Sequence, residues 1–481
     1  MGFVGLYTGA SGIRAAQMGL DTAANNIANA NTPGYTRQRV EFKAGHTYNS
    51  PSGPVGTGVT VDAVARLRDQ FLDDRFRAAI GRGAEDTVRA EFLQSMETLS
   101  GEPDQGISAR IGQMWGVLEG WANTPDSDAA RGEVLGTMVL VAEGFRATAD
   151  SWDRLGEDTA ERLETAIDTA NALMVEIDAI NRLTANSNDA RIGPQTFDQR
   201  DLLVDQLAEL TGATARNQPN GTVRITLGDT VLVDLSEGAD PRGFATLRLD
   251  GDQVQVSGLG NEPADAADDT LFTDDTDALS GELRGLQRVL AEDLPRRREE
   301  LDAVARQLAL AFNRVNAEGV DRNGEPGQDL FAFDDGNEAA NLRVLSTNPN
   351  VLAAARSGDP ANPPDVHDGS NARSFTELRA ARLDAAGEPD PGGGRSIENG
   401  LADLIVGLAT DVNSARSRAD AALGIATGAQ LSRASEHGVS IDEEMVSLIR
   451  YQRALEAAAR VMTTVDQALD TLVNRVGIVG R

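Results

Sequence analysis

Cysteine is absent from the 481 residues, which excludes a disulfide framework and any thiolate metal site. Lysine is nearly absent as well: Lys43 is the only one, and every other cation is an arginine or a histidine. The 44 basic residues face 75 acidic ones, and a net charge of −31 repels nucleic acid and anionic membrane surfaces. No apolar run approaches the roughly 20 residues that a membrane helix needs, and no basic, apolar, small-residue stretch marks a cleavable signal peptide. Composition alone therefore points to a soluble, intracellular protein. The three histidines, His46, His367 and His437, fall at wide spacing in expected loops, and no HExxH, GxSxG or phosphate loop is present. Catalytic residues, metal ligands and cofactors are accordingly expected to be none, and the chain is not expected to be an enzyme. Adjacent carboxylates such as Glu443 and Glu444 carry little information in so acidic a chain, although near a helix N-terminus they favourably meet the dipole.

The strongest pattern lies at the two ends. Leu6, Ile13, Leu20 and Ile27 are spaced by seven, with Ala10, Gln17, Ala24 and Asn31 on the companion row, and a strict heptad asks for a coiled-coil seam. That helix must stop near Asn31, because Pro33 pushes Thr32 towards extended backbone and Pro33-Gly34 suits the centre of a type II turn. At the far end Ser440 and Glu443 have capping-box spacing. After Ile441 the aliphatic row runs Leu448, Leu455, Met462, Leu469 and Val476, with Met445, Gln452, Ala459, Asp466 and Val473 beside it. Two such helices, one leaving and one returning, predict an antiparallel rod of about 40 Å and about 55 Å arms standing off a globular body. Its exposed apolar stripes and thin alanine seam predict ends that are mobile in the free protein and ordered on assembly.

The run Ala24 to Gln38, ANNIANANTPGYTRQ, resembles the N-terminal motif of the flagellar axial proteins (rod, hook and hook-associated), and Gly438 to Gly477 resembles their C-terminal motif. Tyr35, Arg37, Gln38 and the Gly438 to Glu444 run are most similar to the hook-associated members; rod and hook proteins tend towards Gly-Phe-Lys where this chain has Gly34, Tyr35, Thr36. Gly319 to Phe331 adds a third, weaker match. The resemblance implies a structural protein of the bacterial flagellum, exported unfolded by the type III route and therefore extracellular, at the junction of hook and filament. It implies self-association, with the hook protein on one side and a second junction protein of the FlgL type on the other. It also implies an export chaperone of the FlgN type on the C-terminal helix, for which Leu448, Leu455 and Met462 are the candidate contacts. The candidate assembly interface comprises Leu6, Ile13, Leu20, Ile27, Asn25, Asn29, Pro33, Gly34, Tyr35, Ile441, Leu448, Leu455, Met462, Leu469 and Val476. The alternatives are another axial protein, of hook or rod, or a coiled-coil binding protein unrelated to motility.

The fold class expected is mainly α with a small inserted β-rich domain, elongated and multidomain. Residues 1–38 and 438–481 form the terminal assembly domain, 39–213 and 281–437 the helical body, 214–280 the β-rich insert, and 351–395 a flexible or variable segment. Arg39 to Thr60 reads as irregular connection, Val59 to Leu67 as a short strand, and Gln70 to Arg82 and Ala84 to Leu99 as helices. A helical region over Ala129 to Thr211 breaks at Asn186 to Pro194, hairpins turn at Gly228-Asp229 and Asp250-Gly251, and helix returns over Glu282 to Glu318 and Ile397 to Leu431. Arg296, Arg297 and Arg298, spaced from Glu299 and Glu300, predict a solvated ion-paired face instead of a binding patch. Asp321, Asn323 and Glu325 match the first ligands of a calcium loop, but Pro326 and Ala332 occupy its sixth and twelfth positions, so calcium is not expected.

Overall fold

A computed structural model describes residues 2–50, 53–185, 193–235, 243–251, 253–257, 259, 272–273, 278–356, 365 and 367–474. The chain is mainly helical with a small β-rich region. Helix α1 spans Gly2–Ala28 and leads into four antiparallel strands, β1 (Gln38–Ala44), β2 (Thr47–Ser50), β3 (Gly53–Gly56) and β4 (Val59–Arg66). β1 pairs with β4 along its whole length, from Gln38 opposite Arg66 to Ala44 opposite Val59. The expected irregular connection is therefore a long hairpin; its alternation in QRVEFKA is masked by the Gly, Pro and Ser of the β2–β3 tip.

Helix α2 is continuous over Gln70–Leu99, capped by Asp69, whose side chain accepts from the Phe71 amide. The break expected near Gly83 does not occur. Glycine inside a helix ordinarily costs about 1 kcal/mol, but a β-carbon at Gly81 would lie 3.0 Å from the Ala208 carbonyl oxygen. Glycine at this position permits close approach to the end of another helix. Helices α3 (Ile107–Asn123), α4 (Asp128–Thr184) and α5 (Pro194–Thr211) follow, and α4, with 57 residues, runs for about 85 Å.

Beyond α5, strands β5 (Thr214–Asn217), β6 (Val223–Leu227) and β7 (Thr230–Val233) form one antiparallel sheet, and β8 (Leu247–Asp250) and β9 (Gln253–Ser257) another. Helix α6 (Gly281–Arg288) passes through a π turn at Val289–Asp293 into α7 (Leu294–Ala317). The short helices α8 (Glu338–Asn341) and α9 (Ser370–Glu377) precede two long ones, α10 (Ile397–His437) and α11 (Ile441–Asn474). Within 351–395 the described residues carry α9, whose Phe375 is fully buried, so that part is packed.

Two large apolar cores and a small alanine cluster between α2 and α10 hold the body. Trp115, Trp121, Phe312, Phe331 and Phe375 form chained ring contacts with centroids 5.6 to 5.8 Å apart, drawing α3, α7 and α9 onto α4 and α10. The second core joins Leu163, Ile167, Met174 and Ile177 of α4 to Val204 and Leu207 of α5 and to inward residues of both sheets, such as Ile225 and Val256. The Arg296 to Arg298 cluster is ion-paired but not fully solvated. Arg297 is buried and holds Glu300 at 2.6 Å and Asp411 of α10 at 2.5 Å, while Arg298 pairs with Asp153 of α4. The cluster thus bolts α7 to its neighbours. No helix among the described residues is long and apolar enough to cross a membrane.

Candidate assembly interface

Helix α1 lies antiparallel against α11, and glycines make the contact. A β-carbon at Gly5 would meet Val465 Cγ2 at 2.9 Å, one at Gly9 would meet Met462 Cγ at 2.7 Å, and one at Gly19 would meet the Tyr451 ring at 2.6 Å. At Gly12 it would lie 3.3 Å from the Ala458 β-carbon. Gly5, Gly9, Gly12, Ala16, Gly19 and Ala23 alternate by four and three, a heptad row of small residues into which the larger side chains of α11 sink.

The predicted aliphatics take a different position on α1. Leu6, Ile13, Leu20 and Ile27 are half-buried beside this row, Ala10 is half-buried, and Gln17, Ala24 and Asn31 are exposed. On α11, Leu448, Leu455, Met462 and Leu469 share the half-buried face with Tyr451, Ala458 and Val465. Met445, Gln452, Ala459 and Asp466 are exposed, as is Ile441, and Val476 lies outside the described residues. Tyr7, Met18, Ile441, Met445, Val446, Ile449 and Val461 leave the rod with apolar surface facing outwards. Seven large apolar side chains left exposed on one helix pair are a candidate interaction surface.

After α1 the chain is clamped by a residue absent from the sequence expectation. Asn26 is fully buried; its amide nitrogen donates to the Gln38 carbonyl at 2.8 Å, and its Oδ1 accepts from the Gln38 amide at 3.0 Å and the Tyr35 hydroxyl at 2.8 Å. Asn25 and Asn29 bond to each other at 2.9 Å across the last helical turn. Pro33 is exposed at the turn, where the Tyr35 amide donates to the Thr32 carbonyl at 3.2 Å. Gly34 has φ +78°, and a β-carbon there would lie 3.4 Å from Leu202 Cβ of α5. Burial beside Asp198 and Glu444 pushes the Tyr35 phenol up to about 12, so it stays protonated and keeps donating to Asn26.

A knot of arginines and carboxylates ties the β1–β4 hairpin to α2, α5 and α10, and the Thr36 amide donates to its Asp198 at 3.2 Å. Asp198, Asp201 and Asp205 sit at i, i+3 and i+7, one face of α5. Arg66 holds Asp198 at 2.9 Å and Asp201 at 2.7 Å; Arg68 holds Asp201 and Asp73 of α2 at 2.6 Å each. Arg77 reaches Asp205 at 2.7 Å, and Arg433 of α10 spans Asp205 at 2.6 Å and Asp73 at 2.8 Å. Burial alone would raise the Asp201 pKa, but Arg68 and Arg66 hold it below the usual carboxylate range. Such a network gains little net stability over apolar packing, but removing one partner leaves a buried charge uncompensated.

His437 closes the joint. It was expected as a surface loop histidine, but α10 runs on to this residue, past the break expected after Leu431, and buries it. Its Nε2 accepts from the Asp69 amide at 2.7 Å, and its carbonyl accepts from the Arg37 amide at 3.0 Å. Burial lowers its pKa against the pull of Asp73. Arg37 then grips Glu443 at 2.6 Å and Glu444 at 2.7 Å in the first turn of α11. Glu443 is therefore turned away from the reciprocal half of a capping box, while its amide still lies 3.4 Å from Ser440 Oγ. Among the described residues no cluster of histidines and carboxylates is arranged to hold a metal ion.

Comparison with known proteins places these elements. Residues 93–331 match the flagellar hook-associated protein FlgK helical domain, residues 6–36 the flagella basal body rod protein family, and residues 434–475 the flagellar basal body rod FlgEFG protein C-terminal family. Flagellar hook-associated protein 1 of Bacillus subtilis (strain 168) is 28% identical over 515 aligned positions, covering 100% of this chain and 99% of that one. Flagellar hook-associated protein 1 of Salmonella typhimurium is 27% identical over 333 positions, 67% of this chain and 58% of that longer relative. The structure of the flagellar hook junction protein FlgK from Burkholderia pseudomallei shares the fold, with a TM-score of 0.62 and 14% identity over 76% of this chain and 100% of that one.

Proposed function

Because the chain belongs to the flagellar hook-associated protein FlgK family, we propose that it is a structural subunit of the bacterial flagellum that joins hook to filament. The observation that carries this reading is that both chain ends, each matched by an axial-protein family, close into one rod with apolar surface left outwards. Copies would stack through α1 and α11, with the helical body and its β-rich insert, 214–280, facing away from the axis. The subunit would act outside the cell after type III export, without catalytic activity or a cofactor. Its neighbours would be the hook protein on one side and a second junction protein of the FlgL type on the other.

An export chaperone of the FlgN type would take α11 before assembly. Met462 packs on Gly9, and Leu448 and Leu455 share its face, so a chaperone on that face competes directly with α1. Polar substitution at Leu448, Leu455 and Met462 should weaken chaperone binding to the full chain, and unchanged affinity would remove the chaperone from the reading. The function itself is tested by deletion: a strain lacking the protein should shed filament subunits into the medium, whereas normal filaments on its hooks would sink the proposal.

A further inference from the structure

A cleft of about 140 Å³ opens at the base of the rod between α1, β1 and α11, bordered by Thr22, Gln38, Arg39, Ser447, Arg450 and Tyr451. Arg37 and Glu444 also border it, but they satisfy each other at 2.7 Å. What remains is an excess of donors. Gln38 is 6% exposed, and its Nε2 has no hydrogen-bond partner among the described residues. An amide left so is costly to bury, so the site is unfinished. Arg39 and Arg450 are exposed and make no ion pair among the described residues, and the Arg450 guanidinium is held 5.1 Å over the Tyr451 ring. Two uncompensated guanidiniums select a carboxylate, which accepts from both, while the unpaired Gln38 amide adds to the excess of donors lining the cleft. The volume exceeds the roughly 10–15 Å³ needed for one water and admits the end of a side chain.

We propose that this cleft is a socket for an aspartate or glutamate side chain of a neighbouring copy of the chain, inserted when rods pack side by side. It rests on the assembly reading above. A second copy is the source that charge favours: Asp21, Asp442 and Asp466 are exposed on the rod itself and make no ion pair among the described residues. A charge-assisted contact there would fix the register of neighbouring rods, which their apolar stripes alone leave free to slide.

The test replaces Arg39→Glu and Arg450→Glu together in the full chain of a motile strain. Export and the unfolding temperature of the purified protein should match the parent, while attached filaments fall by about tenfold or more, the scale of one lost buried charge contact. Arg39→Lys with Arg450→Lys should keep attachment within about twofold, since the charge survives. Normal attachment by the reversed protein overturns the socket. If deletion of the chain also leaves filaments in place, the assembly reading fails instead, so the two failures are distinct. Should the reversed protein not fold or leave the cell, disulfide trapping decides. The cysteine-free chain carrying Ser447→Cys with Asp21→Cys, Asp442→Cys or Asp466→Cys should give covalent dimers in isolated flagella under a mild oxidant. Failure of all three pairings overturns the proposal.

Discussion

Residues 1–38 and 438–481 hold seven arginines against seven carboxylates, whereas residues 39–437 hold the entire excess of 31 negative charges. The rod and the body differ as much inside. The body closes on Trp115, Trp121, Trp152, Phe312 and Phe375, each almost wholly buried, while the rod closes on glycines and alanines and keeps large apolar side chains outside. A body so charged repels its own copies over the screening length of roughly 8 Å, and the terminal segments, balanced in sequence, do so far less. Close packing is thus possible at the ends of the chain and opposed along its middle, as an assembly with a crowded axis and separated outer domains requires.

The contrast can be broken most forcefully in the body. Phe312→Ala removes a ring that touches Trp115, Phe331 and Phe375 and should cost about 3–5 kcal/mol, read as a lower urea midpoint for the cooperative transition. Little change would mean that the aromatic core is not what holds the body. Asp201→Ala takes one of two carboxylates from each of Arg66 and Arg68, which keep Asp198 and Asp73, and should cost about 3 kcal/mol in the same measurement. Because the native Asp201 pKa is lowered, its contribution is complete above about pH 4 and is lost as pH falls through the folded value, a dependence the variant should lack.

In the rod the expected effect is local. Gly19→Leu drives a side chain into Tyr451 and should let protease cut α11 about tenfold faster, with body unfolding within about 0.5 kcal/mol of the parent. In the parent protein too, the ends should be cut before the centre; equal resistance would erase the distinction. The smallest effect is at His437, whose lowered pKa means the unfolded chain takes up the proton first. Docking of the rod, followed by the same proteolysis, should weaken by about 1 kcal/mol as pH falls from about 6.5 towards the folded value, and stay constant above it. Asp69, Asp73, Arg68 and Arg433 face the ring, and His437→Gln should flatten the profile.

Long periodic helices were legible because their heptads and caps are local. The antiparallel pairing of the ends and the aliphatic row of α11 follow from spacing alone. The other half of the seam was hidden, since glycine in a helix reads as a weak residue until a neighbour at 2.7 Å explains it. Asn26 was overshadowed by Asn25 and Asn29, although only Asn26 points across to Gln38 and Tyr35. The α5 aspartates did carry a signal, three carboxylates on one face, but in a chain with 75 acidic residues that spacing means nothing without the arginines opposite. His437 could not be placed from sequence, because its surroundings come from residues near 69 and 73.

Sequence by itself determined the helical character, the heptad ends, the turn at Pro33-Gly34 and the neutrality of the terminal segments, all of which depend on residues within a few positions or on simple counts. Tertiary structure alone decided which face of α1 meets α11, which carboxylates meet which arginines, and where Gln38 is left waiting for a partner. Those outcomes depend on contacts between residues as far apart in the chain as Gly5 and Val465, and no local pattern encodes distances set by the packing of the whole chain.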